Sequence, residues 1–202
     1  MHNYIHTLDQ LFELGLIEVK PTVLSFGAGE AVFHSQDAAL TIFGIITGKI
    51  QLLRYFEAGQ QGLQYVVSGG DWFGEDVLFK STYQSTAIAI QSSQVLAIPA
   101  SSFLTLLEYD PDISRQFIIQ MAVQLNTAGV LMAIRDLRSA QTRVLEYLKL
   151  LTPSDHSTCI LDCSLKEIAA QTSLSPEAVS RSLRKLQDDG IIHRDKRKII
   201  FL

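Results

Sequence analysis

Ser164-Leu-Lys-Glu-Ile-Ala-Ala-Gln-Thr-Ser-Leu-Ser-Pro-Glu-Ala-Val-Ser-Arg-Ser-Leu-Arg-Lys-Leu186 contains two helix-start signals a short distance apart. Ser164 with Glu167 reads as a capping box, each side chain satisfying an orphan N–H at the helix start. Ser175 before Pro176 reads as a serine N-cap followed by proline at the first helical position, where the missing N–H costs nothing. Ile168, Ala169, Leu174, Val179 and Leu183 fall where two crossed helices need apolar or small contacts. Glu177, Ser180, Arg181, Arg184 and Lys185 are left on the outer face of the second helix. The pattern predicts a helix-turn-helix whose second helix lies in a DNA major groove. Ser173 stands where such a turn often has glycine for a positive φ.

Two amphipathic helices of an ordinary bundle would share this periodicity, so the next residues matter. Asp189-Gly190 stops the helix, then Ile191-Ile-His-Arg194, the turn Asp195-Lys-Arg197 and Lys198-Ile-Ile-Phe201 read as a hairpin. Arg194, Lys196, Arg197 and Lys198 gather at its tip, the composition of a wing resting on phosphates.

The whole chain of 202 residues carries a net charge of −4, which looks unpromising for a DNA binder until it is divided. Residues 139–202 hold ten Lys/Arg against eight Asp/Glu, a net +2, whereas residues 1–138 hold seven against thirteen, a net −6. One part suits phosphate and the other does something else. The charge is modest, so tight binding calls for two copies or a clustered basic face.

The two cysteines are Cys159 and Cys163. In an extended Thr158–Cys163 they would stand about 13 Å apart, too far for a disulfide, and free thiols suit a reducing cytoplasm. The five histidines, at 2, 6, 34, 156 and 193, include no His-x-His pair, so a metal-dependent roll enzyme is not expected. The N-terminus lacks a basic region followed by an apolar core, so no signal peptide is read. Ala38–Gly48, read as the longest uncharged apolar stretch, is well short of a membrane span.

Ahead of the helix-turn-helix the chain changes its period twice. Leu8, Leu11, Phe12, Leu14 and Leu16 suggest a short amphipathic helix over 8–17. Residues 19–99 then read as short β-rich runs broken by glycine, among them Ala31–Phe33, Ile42–Ile46, Ile50–Phe56, Leu63–Val67 and Val95–Ile98. Such spacing predicts a sandwich or roll. Phe103–Leu107 reads as a short helix, and a long one follows from Pro111 to about Asp136. Ile118, Met121, Leu125, Ala128 and Met132 recur at intervals of 3 and 4, the seam of a coiled coil. Ile119, Ala122, Val130 and Ile134 form a second apolar face. A helix apolar on two sides needs two partners, its own barrel and another chain. Ser139 caps the next helix, Ala140–Leu151. The expected α+β architecture is a β-roll sensor over 1–110, a long dimerisation helix and hinge over 111–138, and a winged helix-turn-helix over 139–202.

In this order the elements resemble the bacterial transcription regulators typified by the cyclic-AMP receptor protein and the fumarate-nitrate regulator (the CRP/FNR family). The markers are Phe26-Gly-Ala-Gly-Glu30, Ile45-Ile-Thr-Gly-Lys-Ile50, Gly70-Asp-Trp-Phe-Gly-Glu75, Tyr83-Gln-Ser-Thr-Ala-Ile-Ala89 and Arg143. The resemblance spans nearly the whole chain. It implies a cytoplasmic homodimer joined by the long helices, with an effector pocket in each roll and one recognition helix per DNA half-site. Its implied partners are double-stranded DNA, a second copy and RNA polymerase, with no membrane and no enzymatic activity. The dimer interface would comprise Ile118, Met121, Leu125, Ala128 and Met132.

In the cyclic-AMP-binding branch an Arg-Ser pair follows Gly-Glu after eight residues and holds the cyclic phosphate. Here the candidate pocket is Gly74, Glu75, Ser85 and Thr86, with Ser85-Thr86 following after nine. Strict counting puts Gln84 at the arginine instead, and neither register supplies a guanidinium. Lys80 is the nearest basic residue. Usual cyclic-AMP binding is therefore not expected, and the effector stays open. No cysteine precedes residue 159, so the cluster of the iron-sulfur branch is not expected, and His34, the candidate axial histidine of a haem-sensing variant, reads as a structural or solvated residue at a loop edge. No cofactor is assigned. On the reading helix, Glu177, Ser180 and Arg181 would contact bases, glutamate accepting from cytosine and arginine donating to guanine. In the family this triplet goes with a half-site TTGAT, which implies a palindrome related to TTGAT and ATCAA. Ser175, Arg184, Lys185, Lys196, Arg197 and Lys198 would contact phosphates. The alternative is a ligand-binding module whose helix-turn-helix does not serve DNA.

Overall fold

In a computed structural model of the chain, the described residues are 2–56, 61–152, 158–160, 163–195 and 198–202. They fall into two compact units, Met1–Ala122 and Val123–Leu202. The division lies inside the long helix rather than after it, so each unit keeps one end of that helix.

The first unit is a roll of two four-stranded sheets with helices on one side. Strands β1 (Thr22–Phe26), β3 (Thr41–Thr47), β6 (Trp72–Phe73) and β8 (Ser93–Pro99) make one sheet in the order β1-β8-β3-β6. Strands β2 (Ala31–Phe33), β4 (Lys49–Tyr55), β5 (Gln61–Ser68) and β7 (Thr86–Ala89) make the other, in the order β2-β7-β4-β5. Adjacent strands in both sheets are antiparallel. Alternation explains why Ile42-Phe-Gly-Ile-Ile is apolar throughout. Ile42 packs under the helices, while Phe43 and Ile45 face the space between the sheets. Trp72 and Phe73 divide in the same way, as do Leu96 and Val95. Gly48 turns β3 into β4 at φ +96, and a Cβ there would lie 2.2 Å from the Ser93 hydroxyl. Only glycine fits that approach.

Helix α1 (His2–Glu13), helix α2 (Ala100–Tyr109) and the first half of α3 (Pro111–Asp136) cover the outer face of the β1-β8-β3-β6 sheet. Sequence periodicity misplaces α1, expected over 8–17. The helix starts at its N-terminal end and stops at Glu13 because Gly15 adopts φ +70 and its N–H returns to the Phe12 carbonyl. Phe103 lies tilted against Trp72 and edge to face with Phe117, with ring centroids 5.0 and 5.2 Å apart, and this chain of rings ties α3 to the sheet. Gln120 donates to the Trp72 carbonyl at 3.1 Å.

The second unit begins with the rest of α3. Helix α4 (Ala140–Leu150), helix α5 (Leu165–Thr172) and helix α6 (Pro176–Asp188) pack around Val144, Leu148, Ile168, Val179, Leu183 and Leu186, with Leu131 and Ile134 from α3. Strands β10 (Ile192–Asp195) and β11 (Lys198–Phe201) form the hairpin, and β9 (Thr158–Ile160) adds a third strand beside β11.

Ala38–Gly48 is not the longest stretch without charge. Gln116–Ile134 has no Asp, Glu, Lys or Arg, and α3 is long and apolar enough to cross a membrane, with a mean hydropathy of 1.7 over 18 residues. Gln120, Gln124, Asn126 and Thr127 lie in its middle and would be costly in lipid.

Candidate functional site

Helix α5 starts on the expected capping box. The Glu167 N–H donates to Ser164 Oγ at 3.2 Å and the Ser164 N–H donates to Glu167 Oε2 at 2.5 Å. Helix α6 starts on Ser175, whose Oγ accepts from the Ala178 N–H at 3.2 Å, with Pro176 next. Between them Ser173 takes the left-handed conformation, φ 53 and ψ 47, the geometry for which glycine is usual.

Two faces of α6 separate cleanly. Val179, Ser182, Leu183 and Leu186 are buried, while Glu177, Ser180, Arg181, Arg184 and Lys185 are exposed. Glu177 is held below the ordinary carboxylate range, first by its own backbone N–H, then by the Ser175 hydroxyl and Arg181. The first turn therefore keeps this residue an ionised acceptor while it faces solvent. On the hairpin, Arg194 and Lys198 are exposed, and Asp195 pairs with Lys198 across the strands. Lys196 and Arg197 lie outside the described residues. The exposed residues of α6, its cap and the hairpin thus offer the carboxylates of Glu177 and Asp195, the hydroxyls of Ser175 and Ser180 and several cations.

The second candidate site lies in the roll. Gly74 sits at φ +81 against Phe43, the Thr41 carbonyl and Tyr83, and starts a 3-10 turn over Glu75–Leu78. That turn is tied to the start of β7, because the Gln84 N–H donates to Asp76 Oδ2 at 2.9 Å. Ser85 and Thr86 are buried, and Thr86 Oγ1 accepts from the Ser35 N–H at 3.0 Å. The Asp76–Gln84 bond ties the segment of Gly74 and Glu75 to that of Ser85 and Thr86, and the sequence has no arginine between Arg54 and Arg115. Gln84 instead turns its amide to the Thr82 carbonyl at 3.0 Å, and Lys80 is exposed.

Glu75 has a partner that the sequence reading missed. The Tyr65 hydroxyl, on β5, donates to Glu75 Oε1 at 2.6 Å, while Oε2 is buried without a partner among the described residues. Burial, and next the Glu75 charge, push the Tyr65 hydroxyl far above its ordinary pKa. The available signal was the period of β5, which puts Tyr65 on the same inner face as buried Val67, and a buried tyrosine needs an acceptor. Close by, Phe33, Phe43, Phe73 and Tyr83 stack between the sheets, Phe33 and Tyr83 with centroids 3.8 Å apart. His34 is exposed, and its N–H donates to Asp37 Oδ2. Among the described residues no three His, Cys, Asp or Glu could share a metal.

On α3, Ile118, Leu125 and Met132 are 65%, 76% and 66% exposed, and Ala128 is exposed with them. Met121 differs, packing partly into the roll core. Of the second apolar face, Val130 and Ile134 pack in the reader unit, whereas Ile119 and Ala122 are exposed.

Comparison with known proteins agrees with both units. Residues 23–110 match the cyclic nucleotide-binding domain family, and residues 142–202 match the Crp-like helix-turn-helix domain. The chain is 25% identical over 166 residues to the cyclic AMP receptor protein of Thermus thermophilus, covering 81% of this chain and 76% of that protein. It is 27% identical over 175 residues to the nitrogen fixation regulation protein FixK of Bradyrhizobium diazoefficiens, covering 83% and 72%. The structure of FixK2 from Bradyrhizobium japonicum has the same fold, with a TM-score of 0.70 at 23% identity over 91% of this chain and 93% of that one. With a roll of the first domain type joined by a long helix to a DNA-binding domain of the second, the chain belongs to the CRP/FNR family of transcription regulators.

Proposed function

We propose that this chain is a homodimeric, sequence-specific regulator that reads a palindrome related to TTGAT and ATCAA. The observation that carries the reading is the outer face of α6, where Glu177, Ser180 and Arg181 stand exposed within the first two turns. Those turns of a recognition helix reach base edges. Arg181 would donate two hydrogen bonds to guanine and Glu177 would accept from cytosine N4. Ser175, Arg184, Lys185 and the wing residues Lys196, Arg197 and Lys198 would hold phosphates and set the register.

The exposed row Ile118, Leu125, Ala128 and Met132 would face the same row of a second copy. Polar Gln124, Asn126 and Thr127 interrupt α3 too often for lipid, which favours a protein partner. Two copies would place their recognition helices about 34 Å apart, one turn of DNA. In this reading the protein works in the cytoplasm with RNA polymerase, catalyses nothing and inserts in no membrane.

The roll would not hold cyclic AMP in the usual way. The segment Gln84-Ser85-Thr86 has no guanidinium, and the Glu75 carboxylate that a ligand hydroxyl would seek already accepts from Tyr65. A buried phosphate there would lack a charge-assisted bidentate partner. Titration calorimetry with cyclic AMP should show no binding at micromolar concentration, and binding at that level would refute this part. For DNA, selection from a random library with the full chain should return the palindrome. An unrelated consensus would remove the base assignments, and no consensus at all would favour the ligand-binding module without a DNA role.

A further inference from the structure

Ser173 is one of two non-glycine residues with a positive φ among the described residues, and it occupies the turn that aims α6. An L-residue resists this conformation because its Cβ crowds the following carbonyl. Two backbone bonds hold the turn locally, the Ser173 and Leu174 N–H groups both donating to the Ala169 carbonyl. The last residues of α5, Gln171 and Thr172, are buried, and their carbonyls form the negative end of the helix, so they need donors from protein.

Two arginines from other helices reach this end. Arg135 Nε, in the last turn of α3, donates to the Gln171 carbonyl at 2.9 Å. Arg143 on α4 donates through Nε to the Leu137 carbonyl at 2.6 Å and through Nη1 to the Thr172 carbonyl at 3.5 Å. The carboxyl-terminal ends of α3 and α5 are thus cross-linked immediately before the left-handed residue. The N-cap of α6, Ser175, is two residues further on. Arg181 lies six residues beyond that cap, about 9 Å along the axis, so a tilt of about 10° at the turn moves it by about 1.5 Å. A bidentate contact to guanine does not survive such a displacement.

We propose that Arg135 is a positioning residue for DNA reading. Its guanidinium, with that of Arg143, holds a turn that lacks glycine and lets the end of the long helix set the attitude of the recognition helix. The proposal rests on α6 being the reader and adds a residue that touches neither base nor phosphate.

The test uses the full chain, a duplex selected by the native protein and a scrambled duplex, with anisotropy read well below the melting midpoint. Arg135→Ala is expected to weaken the selected duplex at least tenfold and the scrambled one less than twofold. Adding Ser173→Gly to Arg135→Ala should recover the selected affinity to within threefold, since glycine removes the strain that the clamp holds. A residue that only stabilised the fold would leave discrimination unchanged in the folded protein. If Arg135→Ala does not fold, Arg135→Gln is read in the same way. Native discrimination in the variant overturns the proposal, as does a loss that Ser173→Gly fails to recover. If the native chain selects no sequence, the DNA reading falls and the proposal with it. If the native chain selects a sequence that the variant reads equally well, only the clamp falls.

Discussion

The roll and the reader use polar side chains in opposite ways. On α6, Glu177, Ser180 and Arg181 are exposed and close in sequence, and the chemistry they offer is directed outward. In the roll, Ser85 and Thr86 are buried and Glu75 is half-buried, and the groups that meet Glu75 and Thr86 come from other strands and turns: Tyr65 for Glu75 and Ser35 for Thr86. A reader must keep its donors and acceptors unspent until DNA supplies the partners. A buried site must pair its own groups, since an unpaired one costs about 1–3 kcal/mol. The reader therefore has vacant hydrogen-bonding capacity, whereas the roll retains one buried carboxylate oxygen, Glu75 Oε2, without a partner among the described residues.

The contrast is broken most severely at the helix that spans both units. Leu125→Asp should yield monomers in sedimentation, because an apolar seam would otherwise bury an unpaired charge at a cost of about 3–5 kcal/mol. A monomer touches one half-site, so operator affinity should collapse. A variant that stays dimeric with native affinity would place the seam elsewhere and leave the exposed row of α3 without a role.

Arg181→Ala tests the outward half of the contrast. It should cost roughly 1–3 kcal/mol of operator affinity and relax the choice at one base pair while leaving others intact. Uniform weakening across all sequences would demote Arg181 to a phosphate contact.

Tyr65→Phe tests the inward half. It removes the donor to Glu75 Oε1 and should lower folding stability by about 1.5 kcal/mol near neutral pH, read by urea denaturation. The sign of its pH dependence follows from the raised folded-state pKa of Tyr65. In the unfolded chain the hydroxyl ionises near pH 10, whereas the folded chain resists, so its stabilisation is complete below about pH 10 and is lost as pH rises further. The native chain should thus lose stability above about pH 10 more steeply than Tyr65→Phe. Parallel curves would mean that the hydroxyl is solvated.

Legibility followed the same division. Capping boxes, a Ser-Pro start and a 3.6-residue period are local, so α5 and α6 could be bounded from neighbouring residues. The glycine-broken runs sufficed for a roll, because the alternation in Ile42–Ile46 is set by which face each residue covers. The Tyr65–Glu75 bond joins residues ten apart across a turn, and Arg135 meets Gln171 across 36 residues. No local pattern encodes such meetings. Strand β9 was missed for a related reason: three residues make a strand only once β11 is beside them. The extent of α1 was obscured because Leu14 and Leu16 continue an apolar period past the glycine that ends the helix.

The smallest expected effect is at the wing. Lys198 is exposed at the start of β11, across the hairpin from Asp195. As a point charge near phosphate it would displace one condensed counterion, so Lys198→Ala should flatten the slope of log affinity against log salt by about 1. The selected and scrambled duplexes should weaken by the same factor, and the difference from native should shrink as salt rises. If the slope is unchanged, the wing does not rest on the backbone and the phosphate contacts belong to α6 alone. If discrimination changes instead, Lys198 senses groove shape, and the outward-facing chemistry of the reader extends beyond its recognition helix.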